Sequence, residues 1–129
     1  MAKLRAHYRC HPTFATGLCL VCVFNKASYP QAVGETFGEV TTSYPSASTA
    51  HCLFNEKKTQ TVVLAFNFKG LTEGEKMGLI AHECMHVWQH WKREFGAHTP
   101  SKEFEAYMVQ TFVEAVVTGY EQFKQELVK

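Results

Sequence analysis

The sequence predicts an α+β protein, with a small antiparallel or mixed β-sheet in its N-terminal half packed on two long C-terminal helices. Three observations carry that expectation. Residues 61–68 read Thr-Val-Val-Leu-Ala-Phe-Asn-Phe, a β-branched and aromatic run suited to a strand. Met77, Ile80, Cys84, Val87, Trp88, Trp91 and Phe95 recur with a helical period, and Phe104, Met108, Phe112, Ala115, Gly119 and Phe123 repeat the pattern. Strands are expected mostly within residues 18–68, a first long helix over about 72–95 and a second over about 100–127.

The chain of 129 residues is read as one domain spanning residues 1–129. With 46% hydrophobic and 19% charged residues it is neither disordered nor fibrous. Thirteen basic residues against twelve acidic ones leave a formal charge of +1, so there is no electrostatic case for a nucleic-acid partner. No apolar run is long enough to span a bilayer, and no membrane partner is expected. The five cysteines are odd in number and one lies inside the first long helix, which argues for a reducing, cytoplasmic setting over a disulfide framework.

Taken in order, Lys3, Arg5 and Arg9 ahead of the apolar stretch 17–24 faintly imitate a signal peptide, but the run is short and no small-residue cleavage site follows. A buried first strand is the expectation there. Cys19 and Cys22 are three apart, so a strand would point them to opposite faces and away from a shared ion. Residues 28–35 read as a short helix or loop. Residues 37–44 alternate weakly as a strand, and 49–55 form a further strand. Glu56-Lys57-Lys58 reads as a polar turn, and Gly70 closes the run 61–68. Thr72 and Glu75 have the spacing of a capping box opening the first long helix, and Gly96 is its expected stop. Thr99-Pro100 is the expected start of the second.

The chemistry is concentrated in the first of these helices. All twelve acids are glutamates, which removes aspartic dyads, a serine triad with its usual acid and aspartyl-phosphate chemistry. Seven histidines remain, and two of them form His82-Glu83-Cys84-Met85-His86. Chance alone would give roughly 0.03 such H-E-x-x-H matches in this composition. Residues four apart share one helix face, so both imidazoles can address one zinc ion (Zn2+). The intervening glutamate can take a proton from a zinc-bound water and pass it to a leaving group.

A zinc site needs a third ligand. His90 extends the series, but it lies about 12 Å of helix rise beyond His82 and cannot join both others on one ion. His98, in the expected interhelical loop, is a candidate. Glu105 is the better one, because it falls within the apolar sector of the second helix while Glu103 falls on the opposite, solvent side. A carboxylate turned toward a core needs a partner, either the ion or a lysine or arginine. Strictly antiparallel helices would place His86 about 14 Å before the turn and Glu105 about 8 Å after it, so a zinc site requires a steep crossing.

His82-Glu83-x-x-His86 followed by Glu105 on the next helix resembles the gluzincin metallopeptidases. In size the chain is similar to the minigluzincins and to single-domain proteins of bacteria and their phages. The resemblance covers residues 60–120. It implies a zincin-like peptidase fold, His82, His86 and Glu105 as metal ligands, Glu83 as the catalytic base, and a peptide or protein substrate. It also implies that residues 61–68 are the strand beside the cleft, with an outer edge that pairs with the substrate. An oxyanion-stabilising residue is not matched; His98 and Tyr107 are the candidates. Three readings stay open: a zinc peptidase, a catalytically weak or inactive zinc-binding regulatory protein on the same scaffold, and an interaction protein without metal.

Overall fold

The computed structural model describes residues 8–10, 18–55, 60–94 and 101–128. Their order is β1 (Tyr8–Cys10), β2 (Cys19–Val23), α1 (Tyr29–Phe37), β3 (Thr49–Phe54), β4 (Thr61–Asn67), α2 (Glu73–Glu94) and α3 (Lys102–Leu127). The fold is α+β: one mixed sheet, ordered β1-β2-β4-β3, is packed against the two long C-terminal helices. β1 is antiparallel to β2, β2 is parallel to β4, and β3 is antiparallel to β4.

β4 carries almost no polar residue because both its faces are covered. Val62, Leu64 and Phe66 point into the cluster formed with Ile80, Cys84, Val87 and Trp88 of α2 and with Met108, Phe112 and Val116 of α3. Val63 and Ala65 point the other way, onto Tyr29, Ala32 and Val33 of α1. α1 is thus a third layer, where the sequence allowed a short helix or a loop. Cys22 packs in the helix-side cluster and Cys19 on the α1 side, so these two thiols do lie on opposite faces of β2.

Two expected strands need correction. Residues 37–44 are not a strand: Gly38 adopts φ 85°, its N–H bonds the carbonyl of Gly34 at 2.8 Å, and this left-handed cap ends α1. The chain then crosses the α1 face, where Tyr29 and Thr42 share a hydroxyl hydrogen bond of 2.7 Å and the Tyr44 hydroxyl donates to the carbonyl of Phe66. Burial pushes Tyr44 up to about 12, so it stays protonated. The second correction concerns β4, which lies inside the sheet between β2 and β3; the edge strand on that side is β3.

The capping box is present at α2. Glu75 N donates to Thr72 Oγ1 at 3.1 Å and Thr72 N donates to Glu75 Oε1 at 2.9 Å. α3 is capped by Ser101, whose Oγ accepts from Phe104 N at 3.1 Å. Gly96, Thr99, Pro100 and the turn at 56–58 lie outside the described residues. The long helices are antiparallel. Glu73 at the start of α2 meets the Tyr120 hydroxyl at 3.2 Å and Lys124 at 3.8 Å near the end of α3, and Lys124 sits over the Tyr120 ring.

Phe66→Ala should cost about 3–5 kcal/mol, because it empties a fully buried site between sheet and helices. Thr72→Ala should cost only about 1 kcal/mol, the worth of a helix cap. Urea denaturation of the two variants checks both values.

Candidate metal centre

His82 and His86 stand one turn apart on the exposed flank of α2, with ring centroids 4.9 Å apart and planes at 81°. Glu83 is only 4% exposed and turns toward β3. Ligand atoms of these three residues lie within 4.8 Å of one another, and among the described residues they form the one group able to hold a metal. The capping box fixes the start of α2, and Ile80, Cys84, Val87 and Trp88 bury its inner face. The two histidines are thereby left on the outer face.

Gln89 Oε1 lies 3.2 Å from His86 Nδ1. A carbonyl oxygen only accepts, so Nδ1 carries the proton and Nε2 keeps its lone pair for an ion. Cys52 of β3 donates its thiol to the Glu83 carbonyl at 3.6 Å. Burial, with the Glu83 carboxylate adding to it, pushes the Cys52 thiol far up. It therefore stays a neutral thiol, a poor nucleophile. A cleft of about 490 Å³ opens between this flank of α2 and β3.

Glu105 does not join the histidines. Its Oε2 accepts from Trp88 Nε1 at 2.7 Å and lies 3.8 Å from Lys92 Nζ. The helical phase of α3 is as expected: Glu105 turns toward α2 while Glu103 is exposed. But α3 packs on the inner face of α2, and the histidines project from another face. The antiparallel alignment also sets Glu105 level with Trp88, not with His82. No steep crossing brings it to them, and the lysine alternative, reinforced by an indole, is what the carboxylate finds. The signal was in α2 itself, whose apolar residues Ile80, Cys84, Val87 and Trp88 lie about 100–160° around the helix from His82 and His86.

His90 was underestimated by the sequence. Its ring is only 7% exposed and stacks on Phe54 at 4.0 Å. Arg93 Nη2 lies 3.3 Å from Nδ1, and Nε2 is buried without a hydrogen-bond partner among the described residues. Burial lowers its pKa, opposed by Glu94 and assisted by Arg93. His51, on the alternate face of β3 from Cys52, meets the Tyr29 hydroxyl at 3.0 Å, and burial lowers it too. Tyr107 is exposed and has no place at the site; His98 lies outside the described residues. No described helix is long and apolar enough to cross a membrane. Comparisons with protein-family models, curated proteins and solved structures return no match.

Two predictions follow from these contacts. His82→Ala and His86→Ala should each weaken zinc binding by more than about a hundredfold, beyond the usual cost of an outer partner. Glu105→Gln should leave zinc affinity unchanged and cost about 1 kcal/mol of stability through Trp88. Calorimetric zinc titration and denaturation separate the two effects. The second prediction concerns acid. His90 is held neutral, so its folded pKa lies below the ordinary 6.5. The unfolded chain then binds the extra proton, so the contribution is full above 6.5 and is lost as pH falls through the folded value. In metal-free protein, His90→Phe should narrow the gap between denaturation midpoints at pH 7 and pH 5.

Proposed function

We propose that the chain is a zinc-dependent metallopeptidase. The observation that carries this reading is the convergence of His82, Glu83 and His86 within 4.8 Å, with Glu83 nearly buried at the side of an open cleft. Two imidazoles and a carboxylate at i, i+1 and i+4 are the donor chemistry that zinc accepts. His82 and His86 would hold the ion, with the Gln89 carbonyl orienting the second ring. Bound zinc supplies a Lewis acid that polarises the scissile carbonyl. Glu83 takes the proton of the attacking water and delivers it to the departing amine. Its burial keeps competing water away from that carboxylate. The outer edge of β3, unpaired among the described residues, offers main-chain groups to an extended peptide, the role the resemblance assigned to the next strand.

The position of Glu105 favours a second reading, a zinc-binding regulatory or interaction protein with weak or no catalysis. With Glu105 held by Trp88, the described residues provide two nitrogen ligands and no third protein ligand beside Glu83. Turnover separates the readings. Glu83→Gln should keep wild-type zinc occupancy and lose at least about a hundredfold in peptide cleavage, the scale of a general base. Zinc-loaded wild-type protein that cleaves no peptide, or a Glu83→Gln variant that cleaves as well as wild type, would remove the peptidase reading.

A further inference from the structure

β3 and α2 run side by side in the same direction, and three clefts follow the seam between them. The first, about 420 Å³, lies between Ser48 and Ala50 on one side and Glu75, Gly78 and Leu79 on the other. The second holds the His82-Glu83-His86 group. The third, about 750 Å³, lies between Phe54 and Asn55 and the last turns of α2, and is also lined by Glu39, Thr41 and Thr42. Neighbouring clefts share residues: Ala50, His82 and Glu83 join the first to the second, and Cys52, Phe54, His90 and Arg93 join the second to the third. They form one groove with the metal group in its middle and the outer edge of β3 along its length.

We infer that the substrate is an internal, extended segment of a polypeptide, cut away from both termini, and that the third cleft takes a long basic side chain near the cut bond. This inference rests on the peptidase reading. Removing a terminal residue requires a fixed charge next to the reacting group to grip the terminus. Among the described residues lining the middle cleft, the fixed cation is Arg93, about 10 Å along α2 from His86. Arg93 is also shared with His90 and with Glu94 at 3.5 Å. Glu75 in the first cleft is engaged by Thr72. Beside the His82-Glu83-His86 group the described residues therefore offer no uncommitted charge to hold a terminus, while an extended chain fits the groove's length.

The distance sets the subsite. From His86 to Arg93 is about 10 Å of helix rise. An extended chain covers this in about three residues at roughly 3.3 Å each. The third cleft has apolar ground in Val33, Phe37 and Phe54, and carboxylates at Glu39 and Glu94 against one guanidinium. Glu39 makes no ion pair among the described residues. A lysine or arginine matches this, laying its stem on the aromatic and aliphatic ground and its charge at the acids. The buried, unpartnered Nε2 of His90 marks the same wall of the groove as polar and unsatisfied.

The test uses zinc-loaded protein and two sets of quenched peptides, one blocked at both ends and one with free ends. An eight-residue peptide should be cut internally with kcat/KM at least about tenfold above its four-residue core, since remote contacts act through the reacting centre. Lysine placed three residues from the bond, on one side only, should exceed alanine there by about tenfold, and Glu39→Gln should erase that ratio. Release of single residues from free ends, or equal rates at every length, would overturn the inference and leave the peptidase reading standing. If no peptide is cut, the peptidase reading fails, and fluorescence anisotropy then decides the groove by itself. Tighter binding of the eight-residue peptide than of its core supports the groove, and equal binding overturns it.

Discussion

The two-sided burial of β4 is the constraint on which the rest of the molecule depends. A strand with Val62, Leu64 and Phe66 on one face and Val63 and Ala65 on the other cannot leave either face in water. One side is covered by α1 and the other by the α2–α3 pair. Covering both faces places β4 inside the sheet and leaves β3 at its margin. The exposed strand edge and the outer flank of α2 then come together at one seam. The His82-Glu83-His86 group lies on that seam because α2 has already given its inner face to the core.

The α2–α3 pair is pinned at both ends by polar contacts. Glu73, Lys76, Tyr120 and Lys124 join the start of one helix to the end of the other, while Trp88 and Glu105 join them near the turn. Each of these contacts sits partly in solvent, and single surface ion pairs contribute little. Their joint effect is on register: with Glu73 opposite Tyr120 and Trp88 opposite Glu105, the helices cannot slide by a turn without breaking both sets. That register is what keeps the Glu105 carboxylate on the indole.

Local electrostatics around the group follow from burial. Cys52 is kept a neutral thiol by its surroundings and by Glu83. His51 and His90 are both pushed toward the neutral form by burial. Glu83 at the inner wall and Arg93 at the far end are the acid and the fixed cation that line the middle cleft.

Much of the architecture and part of the site were legible in the residues alone. The apolar run 61–68, the Thr72–Glu75 cap and the two stripes of apolar residues are local patterns, and local patterns determine strands, caps and helices. The pairing of His82 with His86 is equally local, since four residues make one turn. Even the phase of Glu105, turned toward α2 with Glu103 turned out, was readable from its own helix. Tertiary structure decided what met that carboxylate, because contact depends on the face that the partner helix presents, and α2 presents Trp88. The same reason governs β3 and β4: strand order follows from which faces can be covered together, which no single segment encodes. Residues 37–44 alternate as a strand would, yet the left-handed turn at Gly38 directs them over α1 instead. His90, read from the sequence as outlying, became a buried ring on Phe54 only once β3 was laid along α2.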